Sequence, residues 1–281
     1  MRLGGGVVGA HSNPTEYLAL VKELGYSAVI FPLDSSAPKE KIDSYLSSIR
    51  DAGLLIGEVG FWKNVMSTNS YEREQALDYA KRQLELAEYV GANCCVNIAG
   101  SCGSRWDGYD PYQGTQEYYD RVVETTQAII DSVSPEHTAY SLEPMPWMPP
   151  ESPEAYLQLI RDIDRKGFKA HLDYCNMINS LDRYRNSSAF IEHCFDVLGE
   201  HIVSIHAKDV YLIDSKLPLC ITEIQPGEGS IDLKLVLKRA HGLGDDIPVF
   251  IEHLPNHDTY LAASRTMHAL AQEAGVPVKQ I

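Results

Sequence analysis

Short apolar runs alternate with longer amphipathic segments from one end of this chain to the other, and the alternation occurs eight times. Parallel strands cannot be joined by a tight turn, so strands alternating with helices imply crossover units and a parallel sheet. The runs are continuously apolar, as strands covered on both faces are. They predict strands over 6–10, 28–31, 54–59, 94–98, 140–143, 170–173, 203–206 and 249–252. Helices are expected over 14–24, 39–51, 70–90, 115–132, 153–163, 187–198, 233–240 and 260–273. Asn13 followed by Pro14 is a helix start, an N-cap before proline at the first helical position. Ala76, Leu77, Ala80, Leu84, Ala87 and Val90 recur at intervals of three and four, which gives the third helix one apolar face. Eight strand–helix units define an α/β chain whose first choice is a (β/α)8 barrel, the TIM-barrel architecture. That fold takes about 250 residues as one domain, and no linker interrupts residues 1–281.

Four of the later runs end in a polar residue that can bind a metal. Tyr140-Ser141-Leu142 leads to Glu143, Ala170-His171-Leu172 to Asp173, Val203-Ser204-Ile205 to His206, and Val249-Phe250-Ile251 to Glu252. In a parallel barrel the strand C-termini converge on one face, which carries the chemistry. Adjacent strands lie about 4.8 Å apart, so side chains ending strands five to eight can meet over the barrel mouth. Taken alone, each is better read as a strand-end group in an ion pair. Four on consecutive strands favour a divalent metal site. Three carboxylates and one imidazole favour Mn²⁺, Mg²⁺ or Co²⁺ over a thiolate-type zinc site, with Zn²⁺ in a tetrahedral site left open.

Composition narrows the function classes. The net charge of −15 and the lack of a lysine–arginine run oppose nucleic-acid binding. The six cysteines have no metal or disulfide spacing, which fits a reducing compartment. With no signal-like start and no apolar run of roughly 18 residues, the expectation is a soluble, cytoplasmic protein that does not use a membrane. Gly4, Gly6 and Gly9 match the dinucleotide fingerprint literally, but no strand precedes them and no acidic residue follows at the right place. A glycine-rich first barrel strand is the better reading.

At this point the chain resembles the xylose isomerase-like barrels, and among them sugar epimerases and isomerases of the D-tagatose 3-epimerase type. The resemblance spans nearly the whole chain. It is carried by Ser141-Leu142-Glu143-Pro144, His171-Leu172-Asp173, His206-Ala207-Lys208-Asp209, Pro226-Gly227-Glu228-Gly229-Ser230-Ile231-Asp232 and Phe250-Ile251-Glu252. The resemblance implies that Glu143, Asp173, His206 and Glu252 hold one divalent metal, usually manganese or magnesium, and that Glu143 and Glu252 flank the substrate as acid and base. The chain departs from the pattern at Asn176, where these epimerases carry a substrate-binding histidine. It departs again over 209–214, where the usual arginine is missing.

Further candidates surround that set. Trp62, Trp106 and Trp147 follow strands three, four and five on the expected active face, where aromatic walls suit a sugar; packing of loop bases is the alternative. His171 points to the same side of its strand as Asp173, one layer deeper, as a supporting partner or a core histidine. Lys208 and Asp209 follow the metal histidine; Asp209 either orients a ligand or caps a loop. Glu228 sits in a glycine-flanked turn.

The leading expectation is a metal-dependent isomerase or epimerase of a free or modified sugar, working by proton abstraction next to a carbonyl. A lyase or dehydratase on an inosose or keto-sugar, including carbon-glycoside cleavage, uses the same intermediate. An apurinic-type endonuclease needs more histidines and a basic surface. A binding barrel without turnover has no need of two flanking glutamates. The partner expected is a small sugar or sugar derivative, with a homo-oligomer left open.

Overall fold

The computed structural model describes residues 1–281. Its inner wall is built from β1 (Arg2–Gly5), β2 (Ala28–Ile30), β3 (Leu55–Gly60), β4 (Cys94–Asn97), β5 (Ala139–Leu142), β6 (Ala170–Leu172), β7 (Ile202–Ala207) and β10 (Pro248–Ile251). They pair in parallel as β1–β10–β7–β6 and β2–β3–β4–β5. Backbone bonds close both seams. Ser27 N donates to Leu3 O at 2.8 Å between β1 and β2, and Tyr140 N donates to Gly167 O at 2.7 Å between β5 and β6. The result is a (β/α)8 barrel, in which the strand ends meet over one mouth.

The outer ring consists of α1 (Pro14–Glu23), α2 (Lys39–Asp51), α3 (Ser70–Val90), α4 (Gln116–Val133), α5 (Pro153–Ile163), α8 (Ser187–Leu198), α9 (Leu233–Leu243) and α10 (His257–Glu273). Two short helices, α6 (Tyr174–Met177) and α7 (Leu181–Arg185), follow β6. Side-chain caps fix several starts: Asn13 accepts from Glu16 N at 3.0 Å, and Ser152 accepts from Ala155 N at 3.1 Å. Gly91 ends α3 with φ of 75°, a left-handed position that favours glycine.

The first strand is displaced from its expected place. It covers Arg2–Gly5, and 6–10 is irregular chain. Leu3 is fully buried between its neighbours, whereas Val8 is 41% exposed. The local Val-Val pair imitates a strand but lies beyond the last rung with β10. The glycines of that stretch serve packing. A Cβ on Gly4 or Gly57 would come within 2.5 or 2.6 Å of the Phe250 ring, which fills the barrel between them.

The segment after β7, where no strand is expected from the sequence, contains an antiparallel hairpin of β8 (Asp209–Leu212) and β9 (Ile221–Ile224). Its register pairs Asp209 with Ile224 and Val210 with Glu223, which brings Glu223 back to the barrel mouth. No helix is long and apolar enough to cross a membrane.

Candidate metal centre

Glu143, Asp173 and Glu252 each stand one residue past the end of β5, β6 and β10, and His206 is the penultimate residue of β7. The structure brings all four together: one ligand-type atom from each lies within 4.8 Å of the others. His206 Nδ1 is 3.2 Å from Glu143 Oε1, 3.0 Å from Glu252 Oε1 and 3.8 Å from Asp173 Oδ2. Asp173 is also the N-cap of α6, accepting from Asn176 N at 2.9 Å through Oδ1, which aims Oδ2 at the cluster. Asp173 Oδ2 and Glu252 Oε1 are buried and receive no well-aligned hydrogen bond. These two carboxylate oxygens face an imidazole nitrogen and take no hydrogen bond from the backbone, and the donor set fits a hard-to-intermediate divalent cation.

A lysine enters the same space. Lys208 Nζ lies 2.7 Å from Asp173 Oδ2, 2.9 Å from Glu223 Oε1 and 3.5 Å from Glu143 Oε1, and it contacts Glu252 Oε1. The side chain is 2% exposed. Burial disfavours its charge, but Asp173, Glu252, Glu143 and Glu223 together overcome this and hold it protonated, far above the usual lysine range. The same balance acts on Glu252: burial would raise it, and the charges of His206 and Lys208 instead hold it down to about 2. Glu143 goes the other way, raised by burial and by the charge of Glu252.

Below this level is a buried set absent from the sequence-based candidates. Glu58, from β3, is 1% exposed and reaches across the barrel. Its Oε1 is 3.0 Å from His171 Nε2 and accepts from the Ser204 hydroxyl, while Oε2 is 3.4 Å from His206 Nε2. His171 thus sits beneath the cluster on Glu58, not against the cavity. Burial pushes Glu58 up, but the charges of His206 and His171 prevail and hold it below the ordinary carboxylate range.

Above the cluster opens a cavity of about 280 Å³ lined by Glu143, Glu252, Asn176, His253, Met145, Ile98, Trp62, Trp106 and Asp107. Asn176 Nδ2 donates to Pro144 O at 3.0 Å and to Glu143 Oε1 at 3.3 Å, so its place beside the acid is fixed. Trp62 and Trp106 face this space. Trp147 instead donates its indole N–H to Asp107 O at 3.1 Å and ties two loops together. Asp209 does not reach the cluster. Its carboxylate accepts from the amides of Val210, Gly227, Gly229 and Ile231 at 2.9–3.0 Å, so it anchors the 226–231 turn. Glu228 is exposed on that turn, its carboxylate accepting only from Gln225 Nε2 at 3.4 Å. Two residues missed by the sequence reading also border the site. Glu223 arrives on the hairpin, and His253 follows Glu252 with φ of 57°, its Nδ1 2.8 Å from Glu223 Oε2. A larger cavity of about 730 Å³ lies along α3 and contains none of these residues.

The closed barrel with a ligand-type cluster at its strand ends places the chain in a known class. The sequence profile of the xylose isomerase-like TIM barrel family matches residues 18–270, and the chain belongs to that family. Among solved structures it resembles a D-psicose 3-epimerase with D-tagatose from Clostridium cellulolyticum H10, at TM-score 0.70 and 13% identity, covering 99% of this chain and 100% of that one. A xylose isomerase-like TIM barrel protein from Mycobacterium smegmatis in complex with magnesium gives TM-score 0.68 and 15% identity over 96% of this chain and 94% of its own. A 3-keto-D-glucoside 4-epimerase from E. coli gives 0.67 and 16% over 96% and 99%. At these identities the likeness is one of fold. No curated protein matches the chain by sequence.

Proposed function

We propose that this protein is a divalent-metal-dependent isomerase or epimerase of a keto-sugar or sugar derivative. The observation that supports it most is the convergence of Glu143, Asp173, His206 and Glu252 within 4.8 Å at the floor of an aromatic-walled cavity. Glu143, Asp173, His206 and Glu252 would hold the metal, with Mn²⁺ the first choice and Mg²⁺, Co²⁺ or Zn²⁺ its competitors. The ion, when bound, supplies positive charge that lowers the cost of the oxyanion developing beside the reacting carbon.

The chain's own groups do the rest. Glu143 and Glu252 come from β5 and β10 and both border the cavity, so a sugar seated there meets a carboxylate from two strands. One takes the proton next to the carbonyl and the other returns it. Return to the opposite face inverts a stereocentre, and return to the neighbouring carbon exchanges aldose and ketose. Asn176 holds Glu143 in position through its Nδ2 and offers its Oδ1 as acceptor to a hydroxyl. Trp62, Trp106 and Met145 cover the reacting ring and exclude water.

The test is solvent-deuterium incorporation. Mn²⁺-loaded protein is incubated in D₂O with ketoses, aldoses, inososes and 3-keto-glycosides, beside Glu252→Gln. Deuterium next to a carbonyl in one compound, absent with the variant, is the expected result. A product with a new double bond would instead assign the site to a lyase. Exchange in no compound by the metal-loaded protein would overturn the reading.

A further inference from the structure

The catalytic cavity does not end at its tryptophans. Trp62 and Trp106 also line a second cavity of about 480 Å³, together with Lys63, Asn64, Tyr71, Gln75 and Tyr79. The inner space of about 280 Å³ suits one sugar ring, and the outer is larger. Trp62 is 42% exposed, Trp106 37% and Tyr71 69%. Three large aromatics left in water beside a candidate active site mark a binding surface. No lysine or arginine lines the inner cavity, and Arg105 pairs with Asp107 of its wall at 3.0 Å. In the outer one Lys63 Nζ sits 5.9 Å from the Tyr79 ring centre. The lining is thus mainly aromatic, with one lysine and one glutamate (Lys63 and Glu72) whose charges offset, and two amides, Asn64 and Gln75.

We propose that this outer cavity is a subsite for a second ring, so that the substrate is a glycoside: a sugar unit over the carboxylate cluster, joined to an uncharged flat-faced unit stacked on the aromatics. This deepens the proposed function and rests on it only for the reaction, not for the binding. The test therefore needs no turnover. Intrinsic fluorescence and calorimetric titrations of the Mn²⁺-loaded protein compare glucose, cellobiose and phenyl β-glucoside. At least one two-ring ligand binds roughly 5- to 10-fold more tightly than glucose, the size of one aromatic stacking contact. The tighter of the two identifies the second unit as sugar or aromatic. In Tyr71→Ala, a change at an exposed side chain, the gap narrows. Equal affinities, no binding of any of the three, or a gap untouched in both Tyr71→Ala and Trp62→Ala overturns the subsite. Deuterium exchange in a monosaccharide without such a gap leaves the proposed chemistry standing and removes the subsite alone.

A separate observation concerns the underside of the cluster. His206 turns Nδ1 to Glu143 and Glu252, and Nε2 to Glu58 at 3.4 Å. Glu58 is itself held by His171 Nε2 at 3.0 Å and by the Ser204 hydroxyl. These contacts tie β3 to β6 and β7 in the layer below the mouth. We infer that Glu58 is a positioning residue: it accepts Nε2–H and so keeps Nδ1 of His206 unprotonated and aimed at the cation, the arrangement by which a carboxylate behind a metal-binding histidine raises affinity. Glu58→Gln keeps the shape and can present its amide to Nε2, which favours the wrong tautomer. Mn²⁺ affinity by calorimetry falls 10- to 100-fold, and ¹⁵N spectra of the Mg²⁺-loaded protein show His206 losing its Nε2–H form. Ser204→Ala, which leaves the carboxylate in place, gives a smaller loss of about threefold. If Glu58→Gln folds with unchanged Mn²⁺ affinity and an unchanged tautomer, Glu58 is structural only. If it does not fold, unchanged affinity in Ser204→Ala overturns the role.

Discussion

Lys208 and Asp173 stand 2.7 Å apart, ammonium to carboxylate, in the space that the four candidate metal ligands enclose. The ammonium thus competes with a divalent cation for the same oxygens. Removing one partner of a buried ion pair leaves the other charge uncompensated, at about 3–5 kcal/mol. Lys208→Met is therefore expected to lower the melting temperature of the metal-free protein, with Mn²⁺ restoring more in the variant than in the wild type. Calorimetry should show tighter Mn²⁺ binding in the variant. Weaker binding would show that Lys208 supports the metal form rather than opposing it.

Metal removal gives a second expectation. A ligand that binds only the folded chain stabilises it by about 2.7 kcal/mol when present at 100 times its Kd. Chelation should thus lower the melting temperature and abolish deuterium exchange together, and re-addition of Mn²⁺ should restore both. Asp173→Asn should lose Mn²⁺ affinity, because it removes the negative charge at Oδ2, the oxygen that faces His206 Nδ1 at 3.8 Å within the cluster. Its effect on folding should be partly offset, since Lys208 keeps Glu143, Glu223 and Glu252 as partners.

Glu143→Gln and Glu252→Gln are each expected to reduce exchange by about 10²- to 10⁴-fold, the usual worth of a positioned acid or base. They should differ in metal binding. Glu252 Oε1 lies closer to the cluster's cations, at 3.0 Å from His206 Nδ1 and in contact with Lys208 Nζ, whereas Glu143 Oε1 is 3.2 Å from His206, 3.5 Å from Lys208 and also accepts from Asn176. The larger loss of Mn²⁺ affinity, read by titration, should therefore fall on Glu252→Gln.

The regular parts of the molecule could be read from local chemistry. Helices α2, α3, α5 and α8 begin and end where the sequence places them, because caps such as Asn69 and Ser152 and the stop at Gly91 act within a few residues. The cluster at the mouth was legible for a related reason: each of its members lies at or beside a strand end, where the barrel fixes its direction. Glu58 was not. It stands mid-strand in Gly57-Glu58-Val59, and only the pairing of β3 with its neighbours reveals that it faces His171 and His206. Glu223 was hidden too, since the hairpin that returns it depends on pairing between 209–212 and 221–224. Asp209 looked like a site residue from its place after Lys208, yet four backbone amides claim its carboxylate.

Glu88 gives a pH-dependent prediction far from the cluster. Its carboxylate accepts from the amides of Glu136, His137 and Thr138 at 3.0–3.2 Å, fastening α3 to the chain that enters β5. Burial, the largest single influence, opposes its charge, but the three amides together outweigh it and hold the carboxyl below its ordinary value of 4.5. A carboxyl lowered in the folded state contributes stability above its unfolded value and loses it as pH falls through the folded one. Glu88→Gln should thus cost stability at pH 7, on the order of 1 kcal/mol for a partly exposed, charge-assisted contact. The gap between variant and wild type should close as pH falls below about 4.5. Denaturant midpoints measured from pH 7 to pH 4 check this. A gap that stays constant across that range would show that the Glu88 contact acts by shape, without its charge.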